Sequence, residues 1–321
     1  MNVNKKLILV VCFLFIAVST MATLGFAKYP EKPITFAIDG SPGGGSDIWS
    51  RAFLQVAGKY AGVSFVGLNK PGGSSAVAMA YTLKKKADGY TICTVTPNFI
   101  VTPLRKDLGF NYKNFVPIAT CLVEGKIIFT QTGKYNSLKE AIEWARENPG
   151  KQKWAIYGTG TDEHIIMYLI TKQAGVNAVH VPHGGSGEAA LSVVQGVSEV
   201  GIAKPGIIMG HLEAGTIIPL ATSTEERLIF LPEVPTLKEL GYDIVIPTWR
   251  GLVAPAGTPP ERVEFLAEVC RKTLEDPEFE KIQQHLKYNK FFKTGKELNE
   301  LFNSQYTFFK EILEELGFET Y

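Results

Sequence analysis

Short apolar runs alternate with amphipathic segments along most of the chain. PITFAI and YTICTV are rich in β-branched and aromatic residues, as buried strands are, whereas DIWSRAFLQVAGKY has apolar residues at helical spacing. The alternation resumes at KIIFTQ and continues to IIPLATS. Because strands that alternate with helices form βαβ units, the pattern predicts an α/β protein whose mainly parallel sheets are flanked by helices.

Two segments of similar plan bear on the domain organisation. IIFTQTGKYNSLKEAI and GLVAPAGTPPERVEFL each combine a strand, a polar turn and a helix start. In a chain that passes twice between two domains these segments would be the crossings, and in one long sheet they would be ordinary βα units. On the first interpretation, we expect residues 28–123 plus 247–321 to form a discontinuous domain 1 and residues 124–246 to form domain 2.

The N-terminus has the parts of a secretory signal peptide. Lys5 and Lys6 precede an apolar stretch that ends at about Val18, and the small residues Gly25 and Ala27 follow at a suitable cleavage site. An uncleaved membrane anchor is the alternative, but the apolar stretch is short for a bilayer span. We therefore interpret residues 1–27 as a signal peptide and expect a secreted protein at the periplasmic or extracytoplasmic face of a bacterial cell.

Net charge and cysteine content argue against nucleic-acid binding, a disulfide framework and a metal site. Residues 1–27 contain two lysines and no acidic residue, so their removal changes the formal net charge from +1 to −1. Such a balance gives no basic surface for nucleic acid. Cys93, Cys121 and Cys270 remain, an odd number without metal-ligand spacing, and we expect them to be buried like small apolar residues. No cofactor or metal is expected.

The stretch DGSPGGGSD, residues 39–47, lies between a predicted strand and a predicted helix. Three glycines without Cβ atoms let a ligand approach the backbone, and the N-terminus of a helix favours anions through its unpaired N–H groups and its dipole. Glycines that simply let a strand turn into a helix are the alternative. Neither the G-x-G-x-x-G nor the G-x-x-x-x-G-K-[ST] nucleotide motif is present here.

Five turns rich in small residues follow predicted strands, and in open α/β sheets ligands bind at the carboxyl ends of the strands. Three turns fall in predicted domain 1 and two in predicted domain 2, which describes a cleft that closes on a small anion. The turns are PGGGSD (42–47), NKPGGSS (69–75), TVTPN (94–98), YGTGTDEH (157–164) and VPHGGSGEA (181–189).

The order of these motifs carries a resemblance. YPEKPI, PGGGSD, NKPGG, ADGYT, HVPHGGSGEA, LPEVPTLKELGY and WRGLVAPAGTPP follow one another as in the substrate-binding proteins of tripartite tricarboxylate transporters, also called Bug receptors, which the mature chain resembles over its length. The resemblance implies a two-domain periplasmic-binding-protein-like fold of type II with the ligand cleft between the domains. It also implies that backbone N–H groups and ordered water hold a ligand carboxylate.

The resemblance carries ligand contacts to defined positions of this chain. The expected ligand-binding residues are Gly43, Gly44, Gly45, Ser46, Asp47, Gly72, Gly73, Ser74, Thr96, Pro97, Asn98, Gly158, Thr159, Gly160, Thr161, His164, His183, Gly184, Gly185 and Lys204. The chain departs from the family pattern at several positions, which are Asp39 with Gly40, Asp162 with Glu163, His183, and Lys204. Lys204 is either a solvated surface lysine or a residue of the ligand pocket, and Asp162 and Glu163 either favour the following helix or repel an anion.

For several other candidate residues, a purely structural role is the alternative to a chemical one. His180 and His183 have the spacing of a partial metal site but no Cys or carboxylate close by in the sequence. Arg250 suits a structural ion pair or ligand binding, and Trp249 suits core or hinge packing or a stacking platform. Ser186 lies in GGSGE, which lacks the final glycine of the G-x-S-x-G elbow.

The resulting hypothesis is a receptor, expected to be monomeric, that captures a small organic carboxylate, with di- or tricarboxylates favoured, and delivers it to membrane subunits of a tripartite tricarboxylate-type transporter. An α/β hydrolase or transferase that uses the glycine turns as an oxyanion hole is the alternative, and it would need a nucleophile and a base within hydrogen-bond reach. A receptor that signals to a partner is a third hypothesis. The first hypothesis, a carboxylate receptor, requires no chemical reaction.

We expect protein recovered from its native host to lack residues 1–27, because the charged start, the apolar stretch and the GFA site form one processing signal. Mass spectrometry of the intact protein and of its N-terminal peptide measures this directly. Recovery of a chain that still begins at Met1 would refute the signal-peptide interpretation.

Overall fold

A computed structural model describes residues 29–321, so the predicted signal peptide lies outside the described residues. In this part of the chain eleven strands form a six-stranded and a five-stranded sheet. The strands are β1 (Ile34–Ile38), β2 (Phe65–Asn69), β3 (Thr91–Val95), β4 (Phe115–Glu124), β5 (Ile127–Gln131), β6 (Lys153–Tyr157), β7 (Val179–His183), β8 (Val200–Ala203), β9 (Ile217–Thr222), β10 (Thr248–Pro255) and β11 (Asn289–Lys290).

Ten α-helices accompany the strands in residues 29–321, and across this range none has the length and apolarity that a bilayer span requires. The helices are α1 (Gly45–Ala61), α2 (Ala76–Leu83), α3 (Asn98–Arg105), α4 (Leu138–Glu147), α5 (Asp162–Ala174), α6 (Ser186–Val194), α7 (Pro205–Glu213), α8 (Pro260–Glu275), α9 (Pro277–His285) and α10 (Gly295–Glu315).

The six-stranded sheet has the order β11-β4-β10-β3-β1-β2. Strands β1, β2 and β3 pair in parallel, and β10 lies antiparallel between β3 and β4. Strand β11 is antiparallel to β4. Consequently β1 to β4 all run one way, and β10 and β11 run the other way.

The five-stranded sheet has the order β7-β6-β8-β5-β9. Strand β6 is parallel to β7 and β8, whereas β5 is antiparallel to β8 and β9. Within this sheet only β5 is therefore reversed. Both sheets are mixed in their pairing, but most strands of each run in one direction, which confirms the predicted α/β fold class.

The chain changes sheet twice. It leaves the six-stranded sheet after β4 and enters the other sheet at β5, and it returns from β9 to β10. The reversed strands β5 and β10 are the first strands entered after each change. They begin the two segments of similar plan in the sequence, although the domain boundaries at residues 123/124 and 246/247 stay a prediction.

Helix α1 shows how the sequence builds the layer over the six-stranded sheet. Trp49, Phe53 and Val56 recur at helical spacing and are buried against the sheet, where Phe36 of β1 stacks on Phe53 at 5.8 Å between ring centroids. Burial of each such side chain contributes about 1.5–3 kcal/mol. The helix ends at Gly62, whose φ of 70° is a left-handed conformation that glycine adopts without strain. This packing fixes the N-terminus of α1 above the end of β1.

Gly201 of β8 lies directly opposite Phe129 of β5 in the sheet. Phe129 is fully buried, and a Cβ atom at position 201 would lie 2.4 Å from its ring. The absence of a side chain at position 201 therefore makes room for the aromatic ring in the core of the five-stranded sheet.

We expect Gly201→Ala to lower the free energy of unfolding by about 1–3 kcal/mol, because the added methyl group overpacks the core against Phe129. Gly210→Ala is the matched control, since a Cβ there meets no atom within 4 Å inside α7 and should raise stability by about 0.5–1 kcal/mol. Urea denaturation followed by circular dichroism measures both. A Gly201→Ala protein as stable as the wild type would show that the ring can move aside.

Candidate functional site

The predicted ligand turns lie at the carboxyl ends of strands, each leading into a helix. In the six-stranded sheet β1, β2 and β3 lead into α1, α2 and α3, and in the five-stranded sheet β6, β7 and β8 lead into α5, α6 and α7. The predicted turns and Lys204 occupy these six connections. The turns differ in how many backbone donors they leave free.

The first turn is braced by Asp47. Its carboxylate accepts hydrogen bonds from the N–H of Gly43 at 2.9 Å and from Nδ2 of Asn69 at 2.8 Å, and it pairs with Nε of Arg51 at 2.8 Å. Burial alone would raise the pKa of Asp47, but the hydrogen bonds from Arg51, Gly43 and Asn69 hold it below its usual value. The side chain of Asp47 therefore stabilises the conformation of the turn.

Three backbone donors of this turn have no partner. The N–H of Gly44 donates to Ser41 O at 2.9 Å, but within residues 29–321 the N–H groups of Gly45, Ser46 and Asp47 make no hydrogen bond. They form the first turn of α1, where the helix dipole adds a partial positive charge. The arrangement suits an anionic oxygen.

Arg250 of β10 lies beside these donors. Its Nη1 donates to Ser46 Oγ at 2.8 Å and its Nη2 to Glu124 Oε2 at 2.7 Å, while a Cβ at Gly45 would lie 2.8 Å from Nη2. Burial opposes the charge of Arg250, but Glu124, with smaller contributions from Tyr288 and Asp39, raises its pKa overall. The Nε of Arg250 is buried without a hydrogen-bond partner among the described residues. Arg250 is thus in an ion pair and also contacts the anion turn.

The second turn has four consecutive residues with positive φ, namely Gly72 (121°), Gly73 (57°), Ser74 (48°) and Ser75 (77°). For the two serines this conformation costs on the order of 1–3 kcal/mol each. Ser75 Oγ donates to Asp39 Oδ2 at 2.7 Å, and Thr102 Oγ1 donates to Ser74 O at 2.8 Å. Asp39 also accepts from Thr94 Oγ1 at 3.0 Å, so it ties the ends of β1 and β3 to this turn.

In the third turn Thr96 and Pro97 are buried and Asn98, the first residue of α3, is exposed. The carbonyl of Thr96 accepts from the N–H of Phe99 at 2.9 Å. Of the three predicted ligand residues here, only Asn98 presents its side chain to solvent.

The fourth turn uses its glycine donors internally. The N–H of Gly158 donates to His183 O at 3.0 Å, and the N–H of Gly160 donates to Nδ1 of His164 at 3.0 Å. The ring of His164 stacks on that of His180 at 4.0 Å, and Nε2 of His180 lies 3.1 Å from Gly158 O. Two histidines thereby brace the turn, and among residues 29–321 the N–H groups of Thr159, Thr161 and Asp162 make no hydrogen bond.

His164 is neutral at pH 7. Burial, together with the neighbouring His180 and Arg105, lowers its pKa to about 4. Because Nδ1 accepts from the N–H of Gly160, the ring proton is on Nε2. The histidine therefore acts as a hydrogen-bond acceptor for the turn rather than as a cation.

Gly160 also touches elements that flank the six-stranded sheet. Its carbonyl accepts from Nη1 of Arg105 at 3.2 Å, and a Cβ at this position would lie 2.9 Å from Phe318. Arg105 ends α3, and Phe318 follows α10. The sequence analysis missed both residues, since nothing local in the sequence relates either of them to the turn.

The fifth turn is partly occupied by acidic side chains. The N–H of Gly184 donates to Glu188 Oε2 at 3.1 Å, and Ser186 Oγ donates to Glu163 Oε1 at 3.3 Å. The Nε2 of His183 is buried without a partner among the described residues. The hydroxyl of Ser186 is therefore directed at a carboxylate.

A buried lysine between β4 and β5 contacts Asp162 and Glu163, two of the residues at which the chain departs from the family pattern. The Nζ of Lys126 lies 2.9 Å from Asp162 Oδ2 and 3.1 Å from Glu163 Oε1, and the residue is 1% exposed. Burial opposes its charge, but the two carboxylates outweigh burial and raise the pKa of Lys126. The sequence analysis missed Lys126, although a lysine between the apolar runs of β4 and β5 was a visible signal.

Lys204 is the residue immediately before α7, makes no side-chain capping hydrogen bond and is partly buried, so it is not a fully solvated surface lysine. Burial lowers its pKa, and the nearby cations Lys126 and Arg250 act in the same direction, against Glu124 and Asp162. In the described part of the chain, no carboxylate lies within 4.0 Å of its Nζ. Lys204 is therefore a cation without an ion-pair partner.

The remaining candidates are structural. Trp249 is fully buried and stacks on Phe302 at 5.3 Å, as core packing requires. The predicted burial of Cys93, Cys121 and Cys270 is confirmed. Residues 29–321 contain no group of three His, Cys, Asp or Glu residues arranged to hold a metal ion.

Comparisons with known proteins give this chain its relatives. Residues 51–318 match the tripartite tricarboxylate transporter family receptor. BugT of Bordetella pertussis is 26% identical over 279 residues, which cover 85% of this chain and 86% of BugT. A TctC solute binding protein from Polaromonas, solved with no ligand, is 26% identical with a TM-score of 0.80 and covers 89% of this chain and 99% of that chain. These matches confirm the resemblance and the periplasmic-binding-protein-like fold.

A further structure, R. palustris Rpa4515 with adipate, has a TM-score of 0.74 at 23% identity and covers 91% of this chain and 99% of that chain. At this identity the likeness shows the fold alone.

We expect Lys126→Met to lower the free energy of unfolding by about 3–5 kcal/mol, because it strands the buried carboxylates of Asp162 and Glu163. Lys204→Met is the matched control and should change stability by less than about 1 kcal/mol, since Lys204 has no ion-pair partner to strand. Urea denaturation of both variants makes the comparison. Equal losses would contradict the assignment of the acidic pair to Lys126.

Proposed function

Since the chain belongs to the tripartite tricarboxylate transporter receptor family, we propose that it captures a small organic carboxylate outside the cytoplasm and delivers it to the membrane subunits of a transporter of that type. Di- and tricarboxylates are the favoured ligands. The protein acts as a monomeric carrier, and its ligand leaves unchanged.

The free donors of the first turn carry this proposal. The N–H groups of Gly45, Ser46 and Asp47 converge at the start of α1, and the guanidinium of Arg250 lies against the same turn. A carboxylate placed there would accept several hydrogen bonds and complete the unfilled donors of a helix N-terminus. These donors recognise the acidic group of the ligand. Its carbon skeleton is recognised by other contacts.

The two sheets supply the two sides of the proposed cleft. Turns one to three belong to connections of the six-stranded sheet, and turns four and five belong to the five-stranded sheet. In the proposal, residues 28–123 plus 247–321 form one lobe and residues 124–246 form the other, and the lobes close over the ligand. The membership of β4, β5, β9 and β10 in the sheets supports this division.

The adipate of the R. palustris structure is a dicarboxylate held by a protein of the same fold. That protein is too distant in sequence to assign a ligand here, so the preference for more than one acidic group rests on residues of this chain.

The proposal is tested by purifying the mature protein, identifying any co-purified small molecule by mass spectrometry, and titrating a panel of mono-, di- and tricarboxylates by calorimetry. We expect at least one acid to bind and to be recovered unaltered. Absence of binding across the panel would overturn the receptor proposal, and recovery of a chemically altered acid would favour the hydrolase or transferase hypothesis.

We expect Gly45→Ala to weaken carboxylate binding at least about tenfold, because its Cβ would displace the Arg250 guanidinium from the anion turn. Gly58→Ala, in the last turn of the same helix, is the control, since its Cβ meets only Val63 O at an ordinary 3.5 Å. Calorimetric titration of both variants decides the matter. If Gly45→Ala and Gly58→Ala bind as the wild type does, the first turn is not the carboxylate site.

A further inference from the structure

We propose that Lys204 is a specificity-determining residue that binds a second acidic group of the ligand, so that this receptor selects dicarboxylates over monocarboxylates of the same chain length. The proposal rests on the receptor function above. It assigns the two ends of the ligand to different parts of the fold, the first turn of α1 and the N-terminus of α7.

The position of Lys204 relates it to both sheets. It follows β8 of the five-stranded sheet, where Ala203 pairs with Ile127 of β5, so Lys204 lies beside Lys126 at the first change of sheet. Glu124, two residues before Lys126, accepts from Nη2 of Arg250 in the six-stranded sheet at 2.7 Å. Arg250 in turn donates to Ser46 Oγ in the first turn of α1. Arg250 and Glu124 therefore connect the anion turn to the change of sheet at which Lys204 lies, and in the proposal one ligand spans this distance.

The neighbouring acidic residues are already engaged. Glu124 accepts from Arg250 at 2.7 Å, and Asp162 and Glu163 lie 2.9 and 3.1 Å from Nζ of Lys126. The other oxygen of Asp162, Oδ1, accepts from the N–H of Glu163 at 3.0 Å. Asp162 and Glu163 therefore pair with Lys126, and neither forms an ion pair with Lys204 among the described residues.

The energetic argument concerns an unpaired cation that closure would bury further. A buried charge is tolerated when it is paired, and removal of one member of a buried pair is costly. Burial and the nearby cations Lys126 and Arg250 oppose the charge of Lys204, and the carboxylates that favour it, Glu124 and Asp162, are each bound to another cation. A second ligand carboxylate supplies the missing negative charge, whereas a monocarboxylate bound at α1 leaves Lys204 unpaired.

The test uses matched acids, butanoate with butanedioate and hexanoate with hexanedioate, titrated by calorimetry against four proteins. These are the wild type, Lys204→Met, Lys204→Arg and the control Lys151→Met. Lys151 is exposed and shortly precedes β6 of the five-stranded sheet. For Lys204→Met we expect affinity for the preferred diacid to fall about 30-fold or more, the effect of leaving one member of a buried charge pair alone. Affinity for the monoacids should change less than about threefold.

The other variants separate charge from shape. Lys204→Arg should keep a preference for diacids because it keeps the positive charge, and Lys151→Met should bind as the wild type does. Equal losses for mono- and diacids in Lys204→Met, or a wild type without preference for diacids, would overturn the role of Lys204 and leave the receptor function standing. A folded wild type that binds none of the four acids and no other carboxylate of the panel would overturn both.

Discussion

Buried ion pairs lie at the two places where the chain passes from one sheet to the other, and the surrounding structure depends on them. Lys126 lies between β4 and β5 and holds the carboxylates of Asp162 and Glu163, while Arg250, near the start of β10, holds Glu124. Lys126 thus joins the first change of sheet to the fourth predicted turn, and Arg250 joins the second change of sheet to Ser46 of the first turn. The charges are costly to bury, so the geometry around them is fixed only where every partner is present. Lys204 departs from this rule, and in our proposal a carboxylate of the ligand is its missing partner.

The predicted ligand turns combine free backbone donors with internal bracing. In both the first and the fourth turn, some N–H groups make no hydrogen bond among residues 29–321, while other N–H groups are bound by Asp47 or His164 of the same turn. Bracing fixes the backbone before a ligand arrives, and such preorganisation lowers the cost of binding.

Much of the fold followed from local pattern, and much of the site did not. The alternation of strands and helices predicted an α/β protein, and the glycine turns were correctly placed after strands because small residues there have few other uses. Pairings over long sequence separation were invisible, such as Lys126 with Asp162 and Arg105 with Gly160. Asp47 was expected to bind ligand, and its carboxylate accepts from the N–H of Gly43, whereas Asp39 accepts from the hydroxyls of Ser75 and Thr94. Which residues finally contact ligand stays a prediction.

The position of β10 determines the order in which this chain can fold as it emerges from synthesis. All strands of the five-stranded sheet lie between residues 127 and 222, so that sheet can close as soon as this stretch is available. The six-stranded sheet begins earlier but has β10, residues 248–255, in its interior between β3 and β4. Until β10 arrives, β3 and β4 each keep an unpaired edge, and unpaired edges recruit other chains. The half of the molecule that is made first is therefore completed last, and a chain held unfolded until its synthesis is finished avoids that exposure.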